Sequence, residues 1–146
     1  MEIRKPSSKE LEEIIKLSPQ ALYEGTIGRA KPTDENIKQL VLPLLEKGCS
    51  YLIASDEGSV LGWVLIGFSK DQFTGNEIGF IYELYVKESF RGKGISKQLM
   101  KSAIESLTNA GKPEIRLSVF ADNEAIKLYE KMGFKKRSIT MSLSVN

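Results

Sequence analysis

The strongest constraint on the fold lies between Glu77 and Phe120, where the residue period changes twice. "EIGFIYELYV" (77–86) is rich in β-branched and aromatic residues and reads as a strand. "KESFRGKG" (87–94) breaks that pattern with two glycines. From about Gly94 to Asn109, Ile95, Leu99, Met100, Ala103 and Leu107 recur at helical spacing, with Lys97, Lys101 and Glu105 on other faces. "AGKP" ends the helix, and "EIRLSVF" (114–120) returns to strand composition. A strand, a helix and a strand in this order favour a right-handed crossover between parallel neighbours. The glycine turn then sits at the carboxyl end of a strand, where open α/β sheets bind ligands.

The flanking chain fits around this unit. "MEIRK" is a short first strand. In "SSKELEEIIKL", Ser7 and Glu10 form a capping box, and Leu11, Ile14 and Ile15 share a face; Pro19 is expected to stop the helix. Residues 19–32 read as a loop. Thr33 caps a second helix with Ile37, Leu40, Val41, Leu44 and Leu45 on its apolar face, kinked or shortened at Pro43. "SYLIAS" and "VLGWVLIGF" are strands joined by the turn "DEGS", and "SKDQFTGN" is a longer turn. A helix from Asp122 to Met132, closed by Gly133, and a last strand in "FKKRSITMSLSV" complete the order β-α-α-β-β-β-α-β-α-β. The expectation is one mixed α/β domain over residues 1–146, with a mostly antiparallel twisted sheet and helices on both faces.

Absences narrow the chemistry. The chain has no histidine, which excludes a histidine-activated serine or cysteine nucleophile and His-ligated zinc. No metal site is expected. Its one cysteine, Cys49, forms no internal disulfide and fits a buried place at a strand start in a reducing, cytoplasmic setting. A net charge of +2, from 21 basic and 19 acidic residues, is too balanced for nucleic acid as main partner. No apolar run reaches the roughly 20 residues of a membrane span, and "MEIRKPSSKELEE" turns polar where a signal core would begin.

The basic turn carries the functional signal. Helix N-termini present unpaired N–H groups that bind phosphates. Gly92 and Gly94 allow close approach to the backbone, Arg91 and Lys93 add charge, and Ser96 adds a hydroxyl. On spacing alone, a phosphate cradle and a solvated basic turn fit equally. The pattern is neither G-x-x-x-x-G-K-[ST] nor G-x-G-x-x-G.

"LYVKESFRGKGISKQLM" resembles the central R/Q-x-x-G-x-G/A motif of the GCN5-related N-acetyltransferases. Arg91 and Gly94 match, and Ser96 stands where Gly or Ala is usual. "SVFADNEAIKLYEKMGF" is similar to that family's later segment ending in "LYEKxGF", and the likeness covers most of residues 50–145. The resemblance implies an enzyme using acetyl-CoA as acyl donor. Its pyrophosphate would lie on the amides of Gly92, Lys93, Gly94, Ile95, Ser96 and Lys97. Its pantetheine arm would run beside Leu84, Tyr85 and Val86. Asp122 or Asn123 would approach it, since aligning on "LYEKMGF" puts Asp122 where the family often has Asn.

Tyr129 matches the family's helix tyrosine, which would give a proton to the departing thiolate; by spacing alone it is a core aromatic. Glu83 is the candidate base, with Glu77 and Tyr82 as alternates. Strand alternation puts Glu83 and Tyr85 on one face and Tyr82 and Leu84 on the other, unless a bulge shifts them. The implied acceptor is a small-molecule or peptide primary amine, in a pocket drawn from residues 17–35 and 69–77, with Tyr23, Arg29 and Tyr82 as lining candidates. A homodimer, through pairing or exchange of the last strand, is among the implied assemblies. The competing reading is a non-catalytic acyl-CoA-binding module of the same fold.

Overall fold

The Ser7 hydroxyl accepts from the Glu10 N–H while the Glu10 carboxylate accepts from the Ser7 N–H, closing the expected capping box. The helix it starts, α1 (Ser8–Gly25), does not stop at Pro19. Proline removes one helical hydrogen bond. Beyond it, however, Ala21 is buried and Leu22 packs on the same apolar cluster as Ile14, and this burial carries the helix through. The computed structural model describes residues 1–146.

Helix α2 (Asp34–Glu46) is capped by Thr33, with Asn36 completing the box, and it too runs through its proline, Pro43. Ile37 and Val41 are buried. Leu40, expected on the buried face, is 55% exposed: it lies at the edge of the i, i+4, i+7 stripe set by Ile37, Val41 and Leu44.

The strands are β1 (Glu2–Arg4), β2 (Ser50–Asp56), β3 (Ser59–Lys70), β4 (Glu77–Val86) and β5 (Ile115–Leu117), in spatial order 1-2-3-4-5. The first four are antiparallel; β5 joins β4 in parallel, as the crossover requires. The crossover helix α3 (Ile95–Asn109) buries the five residues of its expected stripe. Leu99, Met100 and Leu107 each contribute about 1.5–3 kcal/mol by leaving water. With α4 (Ala125–Lys131) it covers one sheet face; α1 and α2 cover the other through a cluster holding Tyr51, Ile53 and Trp63. The fold is the expected mixed, mostly antiparallel sheet with helices on both faces.

Three expected elements differ. β5 ends at Leu117, short of Phe120, because β4 offers it no partner beyond Ile81. Helix α4 begins at Ala125, after the Asn123 carboxamide oxygen has accepted from the Ala125 N–H and held the chain in a turn. Residues 134–145, expected as a strand, form none.

Candidate active site

Strand β4 changes character at Tyr82. Glu83 pairs with Leu65 and Ile81 with Ile66, so Tyr82 is an extra residue, a β-bulge. The bulge corrects the simple alternation. Tyr82 and Tyr85 both pack toward the α1–α2 cluster, Glu83 turns to Trp63 in that cluster, and Leu84 and Val86 face α3. It also splays the sheet. β4 and β5 pair only through Gly79–Ile115, Phe80–Arg116 and Ile81–Leu117. From Tyr82 to Val86 the β5-side edge of β4 is unpaired, and its amide groups face the gap.

That edge leads into the glycine turn. Gly92 and Gly94 adopt φ of 78° and 81°, the left-handed region that only glycine enters at little cost, and a Cβ at either would stand in open space. Gly94 precedes α3 without a side-chain cap, and the first turn of the helix holds no acidic residue. The N–H groups of this first turn have no helical partners. They border a cavity of about 170 Å³ lined by Val86, the turn Phe90–Gly92, Gly94 to Lys97, and Leu128 of α4. Most of the proposed phosphate residues therefore surround one hollow; Lys93 stands beside it, its ammonium 5.8 Å from the Phe90 ring centroid.

The Arg91 side chain, at the rim of the hollow, is held by two acceptors. Its Nε donates to the Val86 carbonyl at 2.8 Å, and a terminal nitrogen reaches Glu24 Oε1 at 2.8 Å. Glu24 also accepts from the Tyr85 hydroxyl and from Gln20. Burial raises the Glu24 carboxyl, but the hydrogen bonds from Gln20, Arg91 and Tyr85 outweigh it and the net direction is down, so it stays ionised. No sequence pattern marks Glu24: its role arises only because α1 continues past Pro19.

On the opposite bank, Arg29 pairs with Asp122 at 3.1 Å and lies 4.6 Å from the Phe120 ring centroid. The Asn123 carboxamide donates to the Gly25 carbonyl at 3.2 Å. Asp122 and Asn123 thus both engage the end of α1. That end joins the two banks of the gap, through Glu24 to β4 and through Gly25 and Arg29 to the β5–α4 connection.

Tyr129 and Glu83, the expected proton donor and base, are both half-buried. The Tyr129 ring packs against the α3-side cluster and meets Phe134 edge-on at 6.1 Å between centroids. Burial pushes its phenol up, so the proton stays on at neutral pH, and its hydroxyl has no protein hydrogen-bond partner. The Glu83 carboxyl is raised by burial, against which the Trp63 indole N–H donates to it. Glu77, by contrast, pairs with Lys112 at the far end of β4, about 20 Å away at ~3.3 Å per residue. The Tyr82 hydroxyl donates to the Phe68 carbonyl. No cluster of three or more His, Cys, Asp or Glu side chains forms a metal site, and no helix is long and apolar enough to cross a membrane.

A sheet that splays at a bulge thus leads into a glycine turn and a helix N-terminus without a side-chain cap. The chain belongs to the acetyltransferase (GNAT) family, whose model matches residues 11–134. The uncharacterized N-acetyltransferase YdgE of Bacillus subtilis is 34% identical over 90 residues, 61% of this chain and 56% of the relative. The spermine/spermidine N(1)-acetyltransferase of Bacillus subtilis is 31% identical over 83 residues, 54% of this chain and 55% of the relative. The matched part is thus little more than half the length of each relative. A solved structure from Pyrococcus furiosus, 29% identical, superposes with a TM-score of 0.80 over 99% of both chains.

Proposed function

We propose that this chain moves an acetyl group from acetyl-CoA to a primary amine by direct attack, with donor and acceptor bound together. The observation that carries this reading is the continuous path from the unpaired edge of β4 into the glycine-turn hollow. An extended pantetheine amide can hydrogen-bond along residues 84–86 as an added strand. Phosphate oxygens meet bare backbone at Gly92 and Gly94, where no Cβ intrudes.

Each residue then has a distinct role. Backbone N–H groups near Leu84 and Tyr85 donate to the carbonyl oxygen as negative charge builds on it. Tyr129 gives its proton to the thiolate that leaves as the carbon–sulfur bond breaks. Glu83 accepts, through water, the proton lost by the attacking nitrogen. A relative named for spermine and spermidine supports a small polycationic amine as acceptor.

Thermal unfolding with acetyl-CoA, with ATP as control, tests the reading. Ligand at 100 times its dissociation constant stabilises by about 2.7 kcal/mol, several degrees for a domain of this size. A rise with acetyl-CoA alone is expected; no rise, or an equal rise with ATP, overturns it.

The base role has its own signature. Because burial raises the Glu83 carboxyl, it remains protonated and inactive as a base above the ordinary carboxylate range. The kcat/KM profile should therefore rise with pH along a limb displaced upward from that range. Glu83→Gln is expected to lower kcat/KM about 100-fold and to abolish the limb. An unchanged limb in the variant assigns it to another group.

A further inference from the structure

We propose that Glu24 is a positioning residue for the acyl donor: through Arg91 it fixes where a strand added along β4 must end. The inference rests on the acetyl-CoA reading of the gap. The Lys87 N–H donates to the Leu61 carbonyl of β3 at 2.9 Å. The Val86 carbonyl belongs to the same planar trans peptide, so it points the opposite way, toward the open edge of β4. It is the last acceptor on that edge before the chain leaves the sheet, and it is occupied: Arg91 Nε donates to it at 2.8 Å. A ligand strand can use the backbone groups of Leu84, two residues back on the same side, but it meets a guanidinium at the Val86 carbonyl.

Arg91 does not keep this place unaided. It lines the phosphate-sized hollow, and an anion entering there attracts a guanidinium strongly. Glu24 holds it back. Glu24 Oε1 accepts from a terminal nitrogen of Arg91 at 2.8 Å, and Oε2 accepts from the Tyr85 hydroxyl at 3.0 Å. The guanidinium carbon lies 5.3 Å from the Tyr85 ring centroid, so the three side chains close a triangle against the end of β4. Gln20, one turn earlier on α1, adds a third donor to the carboxylate at 3.0 Å. Folding stability gives no reason for this arrangement: the Glu24 and Arg91 side chains are 32% and 43% exposed, and an ion pair that open to solvent contributes little. Its consequence falls on the geometry of the ligand edge.

The test measures acetyl-CoA affinity by calorimetry, with melting temperature, on the full chain and its variants. Glu24→Ala is expected to raise the dissociation constant about 10-fold and to lower the melting temperature by at most about 4 °C. Glu24→Gln keeps an oxygen for Arg91 and should recover part of the affinity. Glu24→Ala combined with Arg91→Ala should bind no more weakly than Arg91→Ala alone, because Glu24 acts through the guanidinium. Unchanged or tighter binding by Glu24→Ala overturns the proposal, since the freed Arg91 then serves the phosphates. Additive losses in the double variant overturn it too. A larger fall in melting temperature does the same, making Glu24 a residue of the fold alone. A wild-type chain that does not bind acetyl-CoA overturns the donor reading and this role with it; a wild-type chain that binds, with Glu24→Ala unaffected, overturns this role only.

Discussion

Tyr129→Phe is expected to lower kcat about 100-fold while leaving the acetyl-CoA dissociation constant within about twofold of wild type. The change removes one oxygen and keeps the ring that packs on the α3-side cluster and meets Phe134. The hydroxyl has no protein partner, so no buried group is orphaned and the melting temperature should hold. What is lost is the proton that burial keeps on the phenol at neutral pH. The loss belongs to the departure of the thiolate. A donor whose leaving thiol is a weaker base should therefore lose much less rate than acetyl-CoA does. Equal losses for both donors, or no loss, would remove Tyr129 from the proton path. A fallen melting temperature would instead make it a packing residue.

Gly94→Val is expected to weaken acetyl-CoA binding by about 100-fold or more, roughly 2.7 kcal/mol. Two effects combine. A φ of 81° is strained for any side chain, most of all a β-branched one. A side chain there also fills the open space next to the first amides of α3. Gly111 separates the two effects, since it has φ of 82° with open space around it but lies at the other end of α3. Gly111→Val should lower the melting temperature with acetyl-CoA affinity unchanged. If Gly94→Val is too unstable to assay, Gly94→Ala gives the milder form of the same test. Wild-type affinity in either variant would mean that the phosphates bind elsewhere.

The β4–turn–α3 unit was legible because its signals are local. Period, glycine placement and the five-residue stripe of α3 all act within a few residues of one another. The path of α1 was not legible. Pro19 is a true local signal for a stop, and the burial of Ala21 and Leu22 that overrides it depends on strands 30 or more residues away. Glu24 became invisible with it, since its partners Arg91 and Tyr85 lie more than 60 residues along the chain. The bulge at Tyr82 was foreseen as a disturbance of the alternation but not located, because register is a property of two strands together. Asp122 and Asn123, expected near the acyl donor, bond Arg29 and the Gly25 carbonyl, partners 93 and 98 residues distant that no local pattern marks. The strand expected in "FKKRSITMSLSV" (134–145) does not form, although its composition suits one.

The gap between β4 and β5 has a thermodynamic meaning beyond shape. A sheet left open from Tyr82 onward forgoes the ladder hydrogen bonds that a closed one would make there. A ligand that lies along this edge as a strand supplies them, so affinity and folding stability draw on the same free energy. A substitution far from the gap that loosens β4 will then register as weaker binding, and a ligand bound along this edge will raise the stability of the whole sheet.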